Sequence, residues 1–385
     1  MALTDINAAV VGTGFIGVAH VEALRRLGVN VVGVMGSSPE RAREKARAAN
    51  LPDVYHDLDA LLSDDRVDVV HVASPNHVHF DQAMSALEAG KHVVCEKPLG
   101  LDSNETSRLV AKAEETGLVN AVCFNIRFYP LVHQMAAMVA AGEIGAPRLV
   151  HGSYLQDWLL LETDWNWRLE ADKAGQLRAV ADIGSHWLDL ARFVTGKKVV
   201  EVMAELHTFV TTRRHPEGSV ETFTAVSEDV PLVEEEMGSD DAASIMLRFE
   251  DGARGLLTVS QVSAGHKNRL TLEVDGSESA LMWVSEDPDR LWIGHRGRPN
   301  EVMARDPGAM AEPATRIAAY PGGHVEGYPD TFRGLFSRVY ADVEAGRPSP
   351  DPHYPTFADG HDAVCVTEAV AESSASGTWT PVRRD

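Results

Sequence analysis

Cysteine is scarce in this sequence. Cys95, Cys123 and Cys365 stand far apart with no Cys-x-x-Cys spacing, which argues against a structural zinc site and a disulfide framework and fits a reducing compartment. Positive charge is short as well: 35 Lys and Arg against 57 Asp and Glu give a formal charge of -22. Such a field repels a phosphate backbone, and no basic stripe with interleaved aromatics offsets it locally, so nucleic acid is not an expected partner. Long apolar runs are missing too. None approaches the roughly 20 residues a membrane span needs, and the first apolar stretch, AAVVGTGFIGV, has neither a basic start nor a small-residue cleavage site behind it. No membrane partner and a cytoplasmic location are therefore expected. An anionic nucleotide in so acidic a chain must be held by local backbone donors.

What is present is enough apolar residue, 44% of 385, for two cores. From residue 6 to about 124, short β-branched runs such as NAAVVG, VNVVGVMG, VDVVHVAS and KHVVCEK alternate with amphipathic segments, the pattern of βαβ units around a parallel sheet. After about residue 145 the texture becomes strand after strand, with turn signals at Asp251-Gly252 and Asp275-Gly276 that suit tight hairpins. The expected fold is an α/β Rossmann dinucleotide-binding domain at 1–125 and an α+β substrate-binding and oligomerisation domain at 126–385. The second domain should carry a large, mostly antiparallel open sheet. One face of such a sheet needs covering, which predicts a homo-dimer or homo-tetramer. Two stretches carry no clear element: the acidic 227–241, expected as a solvated loop, and 294–327, expected as a lid or subunit-contact arm.

Gly12-Thr13-Gly14-Phe15-Ile16-Gly17 follows an apolar strand and opens a helix. In that context Gly12 permits a tight turn, Gly14 admits a pyrophosphate, and Gly17 allows close helix packing. The alternative is a glycine turn without a ligand. Ser74-Pro75-Asn76-His77-Val78-His79 leaves the next strand at its carboxyl end, where open α/β sheets bind ligands. Asn76 either hydrogen-bonds a ribose or caps a helix starting at His77, and one residue can do both. His77 and His79 read as packing or capping residues, with no third ligand nearby for a metal. Glu96-Lys97-Pro98 ends another strand on the same rim, so Ser74, Asn76, His79, Glu96 and Lys97 are assigned to the cofactor side with Gly12, Gly14, Phe15, Ile16 and Gly17. Lys97 is a candidate acid or electrostatic stabiliser. Pro98 would fix its direction in a tight turn that a cis bond suits.

Asp182 and His186, four apart in ADIGSHWLDLARFVTG, share a face if both are helical, and a carboxylate can orient an imidazole and raise its basicity. The plainer alternative makes Asp182 a helix cap and His186 a core histidine. Trp158 and Trp165 are candidates for stacking on a sugar ring, with packing as the alternative for at least one tryptophan of that segment. His324, Glu326 and Tyr328 either complete a polar pocket or end a loop. The second strand finishes in Gly36-Ser37-Ser38 with no acidic residue, and Arg41 follows. Gly36 leaves room for a ribose 2′-phosphate that Ser37, Ser38 and Arg41 would hold, so NADP is favoured over NAD, with dual use next. The alternative makes Ser38 a cap ahead of Pro39.

GTGFIG, SPNHVH, CEKPL, FNIRFYP and ADIGSHWLD, in this order and at these distances, resemble the glucose-fructose oxidoreductase / inositol dehydrogenase / MocA-like family across essentially the whole chain. The resemblance implies that Lys97, Asp182 and His186 correspond to the family's catalytic lysine, aspartate and histidine. It also implies that Asn125 and Arg127 line the cofactor and substrate pocket, Arg127 otherwise reading as a plain surface residue. Members often carry a small Gly-rich run before the Asp-x-Gly-x-His motif, where this chain has Ala174-Gly175-Gln176-Leu177-Arg178, so a differently shaped loop over the substrate is expected. The implied activity is NAD(P)-dependent hydride transfer at a secondary hydroxyl carbon of a sugar, glycoside or cyclitol bound by Lys97, Arg127, Trp158, Trp165, Asp182, His186, His324 and Tyr328. Some relatives are nicotinamide-retaining glycosidases, and a non-catalytic sugar sensor is a further alternative. No metal is expected.

Overall fold

A computed structural model describes residues 2–216 and 231–384. The chain divides into two compact units: 1–125, 172–175 and 329–364 form unit 1, and 126–171, 176–328 and 365–385 form unit 2. The first crossing falls at residue 125, and the chain also returns twice to unit 1.

Unit 1 alternates strands and helices: β1 (Asn7–Val11), α1 (Phe15–Leu27), β2 (Asn30–Met35), α2 (Pro39–Ala48), β3 (Asp53–Val54), α3 (Leu58–Leu62), β4 (Val69–Val72), α4 (His79–Glu88), β5 (His92–Cys95), α5 (Ser103–Thr116) and β6 (Asn120–Val122). All strands pair parallel in the order β3-β2-β1-β4-β5-β6. Reversal of the strand order beside β1 opens the crevice where such sheets take a nucleotide. Val69–Val72 is buried at every position, as a strand covered on both faces must be.

Unit 2 begins with α6 (Pro130–Ala140) and β7 (Pro147–Leu155). There follow α7 (Ala171–Ala174), which lies largely in unit 1, then α8 (Ser185–Thr195), β8 (Val199–His207), β9 (Thr212–Pro216), β10 (Leu232–Glu236), β11 (Ala242–Phe249), β12 (Arg254–Ser260), β13 (Arg269–Gly276), β14 (Ser279–Val284), β15 (Arg290–His295), β16 (Glu301–Ala304) and α9 (Glu312–Thr315). The chain ends with α10 (Tyr328–Ala345), α11 (Phe357–Ser376) and β17 (Thr380–Pro381). Nine strands form one sheet, β16-β15-β14-β13-β7-β12-β11-β8-β17, antiparallel except for β12 against β7. Its alternating inward residues, among them Ile245, Leu257, Leu272 and Leu281, pack with Leu131 and Met135 of α6, Trp187 and Leu190 of α8, and Val366 and Val370 of α11.

Three sequence expectations change here. The acidic connection lies partly outside the described residues, at 227–230; of the remainder, Leu232–Glu236 pairs antiparallel with β9, and Asp240 and Asp241 are buried. The arm expected at 294–327 is not structureless: β16 pairs with β15. Behind it the fully buried Arg305 donates to Asp289 and Glu326, each at 2.9 Å, and to the Tyr320 carbonyl. The β13–β14 turn falls at Ser277-Glu278 rather than Asp275-Gly276, because Gly276 abuts Ile144, whose carbonyl a Cβ would reach at 1.9 Å.

Candidate active site

In unit 1 the glycine loop joins β1 to α1. Gly12 has φ +108°, and a Cβ there would sit 2.2 Å from the Ala73 carbonyl; one on Gly17 would meet the Gly12 carbonyl at 2.0 Å. Gly14 is different, because its Cβ would project into space with nothing within 4 Å. No side chain caps the N-terminus of α1, and Gly14 and Phe15 there are exposed, so the helix dipole can attract an anion to this start. The loop thus fits a pyrophosphate. At the end of β2, Gly36 packs against Thr13 and Ala42, 2.9 and 3.2 Å from the Cβ it lacks; close packing, not spare room, requires that glycine. Ser38 Oγ accepts from the Arg41 amide at 3.3 Å as the cap of α2, while Ser37 and Arg41 are exposed.

The rim residues are held by hydrogen bonds to one another. Asn76 does not cap a helix from His77. It opens a short 3-10 turn, and its amide donates to the Ala174 carbonyl at 3.1 Å. Ser74 Oγ donates to Gln82. His79 is buried with Nδ1 2.7 Å from the Pro98 carbonyl and Nε2 2.8 Å from that of Ser74, bracing two strand-end turns; burial lowers its pKa. The Lys97–Pro98 peptide is cis. Glu96 is buried with Oε1 3.1 Å from His20 Nε2, a partner the sequence reading missed, since His20 lies among the apolar positions of α1. Asn125 donates to Thr331 Oγ1 at 2.7 Å.

In unit 2, Asp182 and His186 are not on one regular helix. A wide π-helical turn spans Val180–Gly184 and leads directly into α8, so Asp182 sits on the wide turn and His186 on the first turn of α8. Such turns recur at functional sites. The capping role weighed for Asp182 belongs to Asp240, which accepts from the amides of Arg178 at 2.6 Å and Val180 at 2.9 Å. Asp182 instead receives Arg168 Nε at 3.2 Å on Oδ1 and Gln261 Nε2 at 2.8 Å on Oδ2. Neither donor is visible as a motif: Gln261 just follows β12, and Arg168 hides in a tryptophan-rich run. His186 is buried, with the Tyr154 ring 6.4 Å away. Burial and the Asp182 charge push the Tyr154 phenol well above its ordinary pKa, so Tyr154 keeps its proton and donates to Asn268 at 2.7 Å.

Around these residues the tryptophans divide. Trp165 is buried with Leu159 and Leu169, its ring stacked 3.6 Å from His215 at 10°. Trp158 is half-buried and donates to Gln156 at 2.8 Å. Arg127 is no surface residue: it is buried, its Nε donates to Asp189 Oδ2 at 2.7 Å, and its Nη2 donates to the other carboxylate oxygen. His324 is exposed and Tyr328 half-buried. Glu326 is buried on Arg305 and on the amides of Ala319 and Tyr320, so it anchors a turn.

Comparison with known proteins gives the same architecture a lineage. Residues 6–124 match the profile of the oxidoreductase family with an NAD-binding Rossmann fold, and 132–282 match the GFO/IDH/MocA C-terminal domain. The chain belongs to the GFO/IDH/MocA oxidoreductase family. Levoglucosan dehydrogenase of Pseudarthrobacter phenanthrenivorans is 28% identical over 99% of both chains. Myo-inositol 2-dehydrogenase of Thermotoga maritima is 28% identical over 89% of this chain and 90% of its own. A solved levoglucosan dehydrogenase in complex with NADH and L-sorbose superimposes with TM-score 0.88 at 27% identity, covering 99% of each chain. Against the family pattern, the run Gly175-Gln176-Leu177-Arg178 acquires a structural reason. Arg178 is buried, its side chain paired with Asp241 and 3.3 Å from Gln261 Oε1, so this arginine steadies the amide that holds Asp182. Among the described residues no helix is long and apolar enough to cross a membrane.

Proposed function

We propose that this GFO/IDH/MocA protein is a dehydrogenase of a secondary hydroxyl on a cyclic sugar, anhydro sugar or cyclitol. The observation that carries this reading is Asp182 held at both oxygens by Arg168 and Gln261 one turn before a buried His186. A carboxylate so held stays anionic and favours a neighbouring imidazole that gains a proton. His186 serves as the base that takes the hydroxyl proton, Asp182 offsets the resulting imidazolium charge, and Lys97 stabilises the alkoxide. The glycine loop of Gly12, Gly14 and Gly17 holds the nicotinamide nucleotide, which supplies the hydride acceptor. Names of the relatives support a compact polyol ring as substrate class.

The test is a spectrophotometric screen of levoglucosan, monosaccharides, glycosides and inositols with both nicotinamide cofactors. Lys97→Ala and His186→Ala should each lower kcat about 100-fold or more, the scale of positioned acid/base groups, with nucleotide affinity nearly intact. Wild-type turnover in either variant sinks the roles. For the cofactor we propose NADP ahead of NAD, supported by the missing carboxylate after β2 and the exposed Ser37 and Arg41. Arg41→Ala should then lower kcat/KM roughly tenfold with NADP, the loss of one charge-assisted pair, and leave NAD unaffected. A strong wild-type preference for NAD defeats that part.

A further inference from the structure

Behind the Glu96-Lys97-Pro98 turn, unit 1 buries a row of polar side chains from four separate places in the sequence. His20 of α1, His71 of β4 and Tyr340 of α10 are each 0% exposed, and Glu96 is 7% exposed. Glu96 Oε1 lies 3.1 Å from His20 Nε2, His20 Nδ1 lies 3.0 Å from His71 Nδ1, and His71 Nε2 lies 2.9 Å from the Tyr340 hydroxyl. Phe332 and Phe336 close over the row, with ring centroids 5.4 and 4.9 Å from His20, and Phe336 also 4.8 Å from His71. Four polar groups sealed under aromatic rings are stable only if each hydrogen bond is made.

The protons can be assigned along the row. Burial and the nearby Asp68 charge push the Tyr340 phenol well above its ordinary pKa, so it stays protonated and donates to His71 Nε2. Burial and the neighbouring His20 push the His71 pKa well down, so His71 is neutral and its one proton lies on Nδ1, donating to His20 Nδ1. That leaves the His20 proton on Nε2, donating to Glu96. Glu96 also receives the Lys97 amide on Oε2 at 3.2 Å, and the Cys123 thiol lies 3.8 Å from His20 Nε2. A carboxylate facing two donors is favoured in its ionised form. His20 Nε2, Glu96 Oε1 and Cys123 Sγ lie within 4.8 Å of one another, a spacing that metal ligands also show. Protons already fill these positions, however, and burial pushes the Cys123 thiol up, away from the thiolate a metal needs.

We propose that Tyr340, His71 and His20 are positioning residues for Lys97, fixing the direction of Glu96 so that its carboxylate pins the Lys97 backbone and with it the placement of the Lys97 amine. His79 holds the other side of the turn through the Pro98 carbonyl, 2.7 Å from its Nδ1. The kinetic part of this inference rests on the catalytic reading of Lys97 above; the effect on the amine itself does not.

The test uses the purified full chain with Tyr340→Phe, which removes one oxygen, and the pair His71→Leu and His71→Asn, of which Asn keeps a donor toward His20. Acylation of Lys97 by acetic anhydride, located by mass spectrometry, is compared with that of Lys267. Tyr340→Phe and His71→Leu should change the Lys97-to-Lys267 ratio by about threefold or more, with kcat down roughly tenfold, nicotinamide KM within about twofold, and partial recovery in His71→Asn. An unchanged ratio, or all lysines changing in parallel, overturns the proposal. So does stoichiometric zinc in the wild type that Cys123→Ser loses. If the wild type oxidises no polyol, the functional reading fails while the acylation ratio still decides this one.

Discussion

Trp165 and Trp158 stand seven residues apart and do different work. Stacked on His215 and packed with Leu159 and Leu169, Trp165 fills a small core, and truncating it leaves a cavity that costs about 3–5 kcal/mol. Trp158 packs its buried part against that same cluster and is tied to Gln156, so only its exposed part is open to a sugar face. We therefore expect Trp165→Ala to lower the melting temperature by several degrees, and Trp158→Ala to lower it less while weakening sugar binding. Thermal melts and calorimetric titration separate the two, and unchanged sugar affinity in Trp158→Ala would leave it a packing residue only. The tryptophans were visible in the sequence; their division was not, because His215 lies fifty residues away on β9.

The β1–α1 connection shows how one motif makes separable demands on its glycines. Gly12 has a left-handed φ and touches the Ala73 carbonyl, whereas Gly14 faces open space. A methyl at Gly12 meets backbone that cannot yield, so Gly12→Ala should lower the unfolding midpoint markedly. Gly14→Ala should leave the midpoint unchanged and weaken nucleotide binding. Melting curves with and without NADH or NADPH decide it; equal destabilisation by both substitutions would mean that Gly14 serves packing. Local signals served well for elements of this kind. The cap Ser38 starts α2, and Asp251-Gly252 turns β11 into β12, because each depends on a few adjacent residues.

For the whole molecule, the nine-stranded sheet leaves apolar side chains on the face turned away from its helices, to either side of a central Glu273 and His151. Strand register aligns Val302, Trp292, Met282, Glu273, His151, Leu256, Met246 and Met203 across eight strands. Val302, Leu256 and Met246 are 59, 49 and 41% exposed. Exposed apolar side chains on the outer face of a sheet in so charged a protein point to an interface, and a second copy offers the matching surface by two-fold symmetry. We expect a homo-dimer or homo-tetramer by light scattering, and Met246→Asp with Leu256→Asp to shift the mass toward the protomer. An unchanged mass would place the contact elsewhere.

The sequence by itself determined the order of elements, the glycine loop, the rim turns at strand ends and the family, since each is written in contiguous residues whose local chemistry does not depend on distant partners. Tertiary structure decided which polar groups are engaged. Asp182 is held by Arg168 and Gln261, Glu96 by His20, and Arg127 by Asp189. Asp240 and Asp241 move from an expected solvated loop into the interior. None of these pairings is periodic or adjacent in sequence. Each exists because a buried charge must find an opposite charge or a donor wherever the fold brings one, and that choice is made in space rather than along the chain.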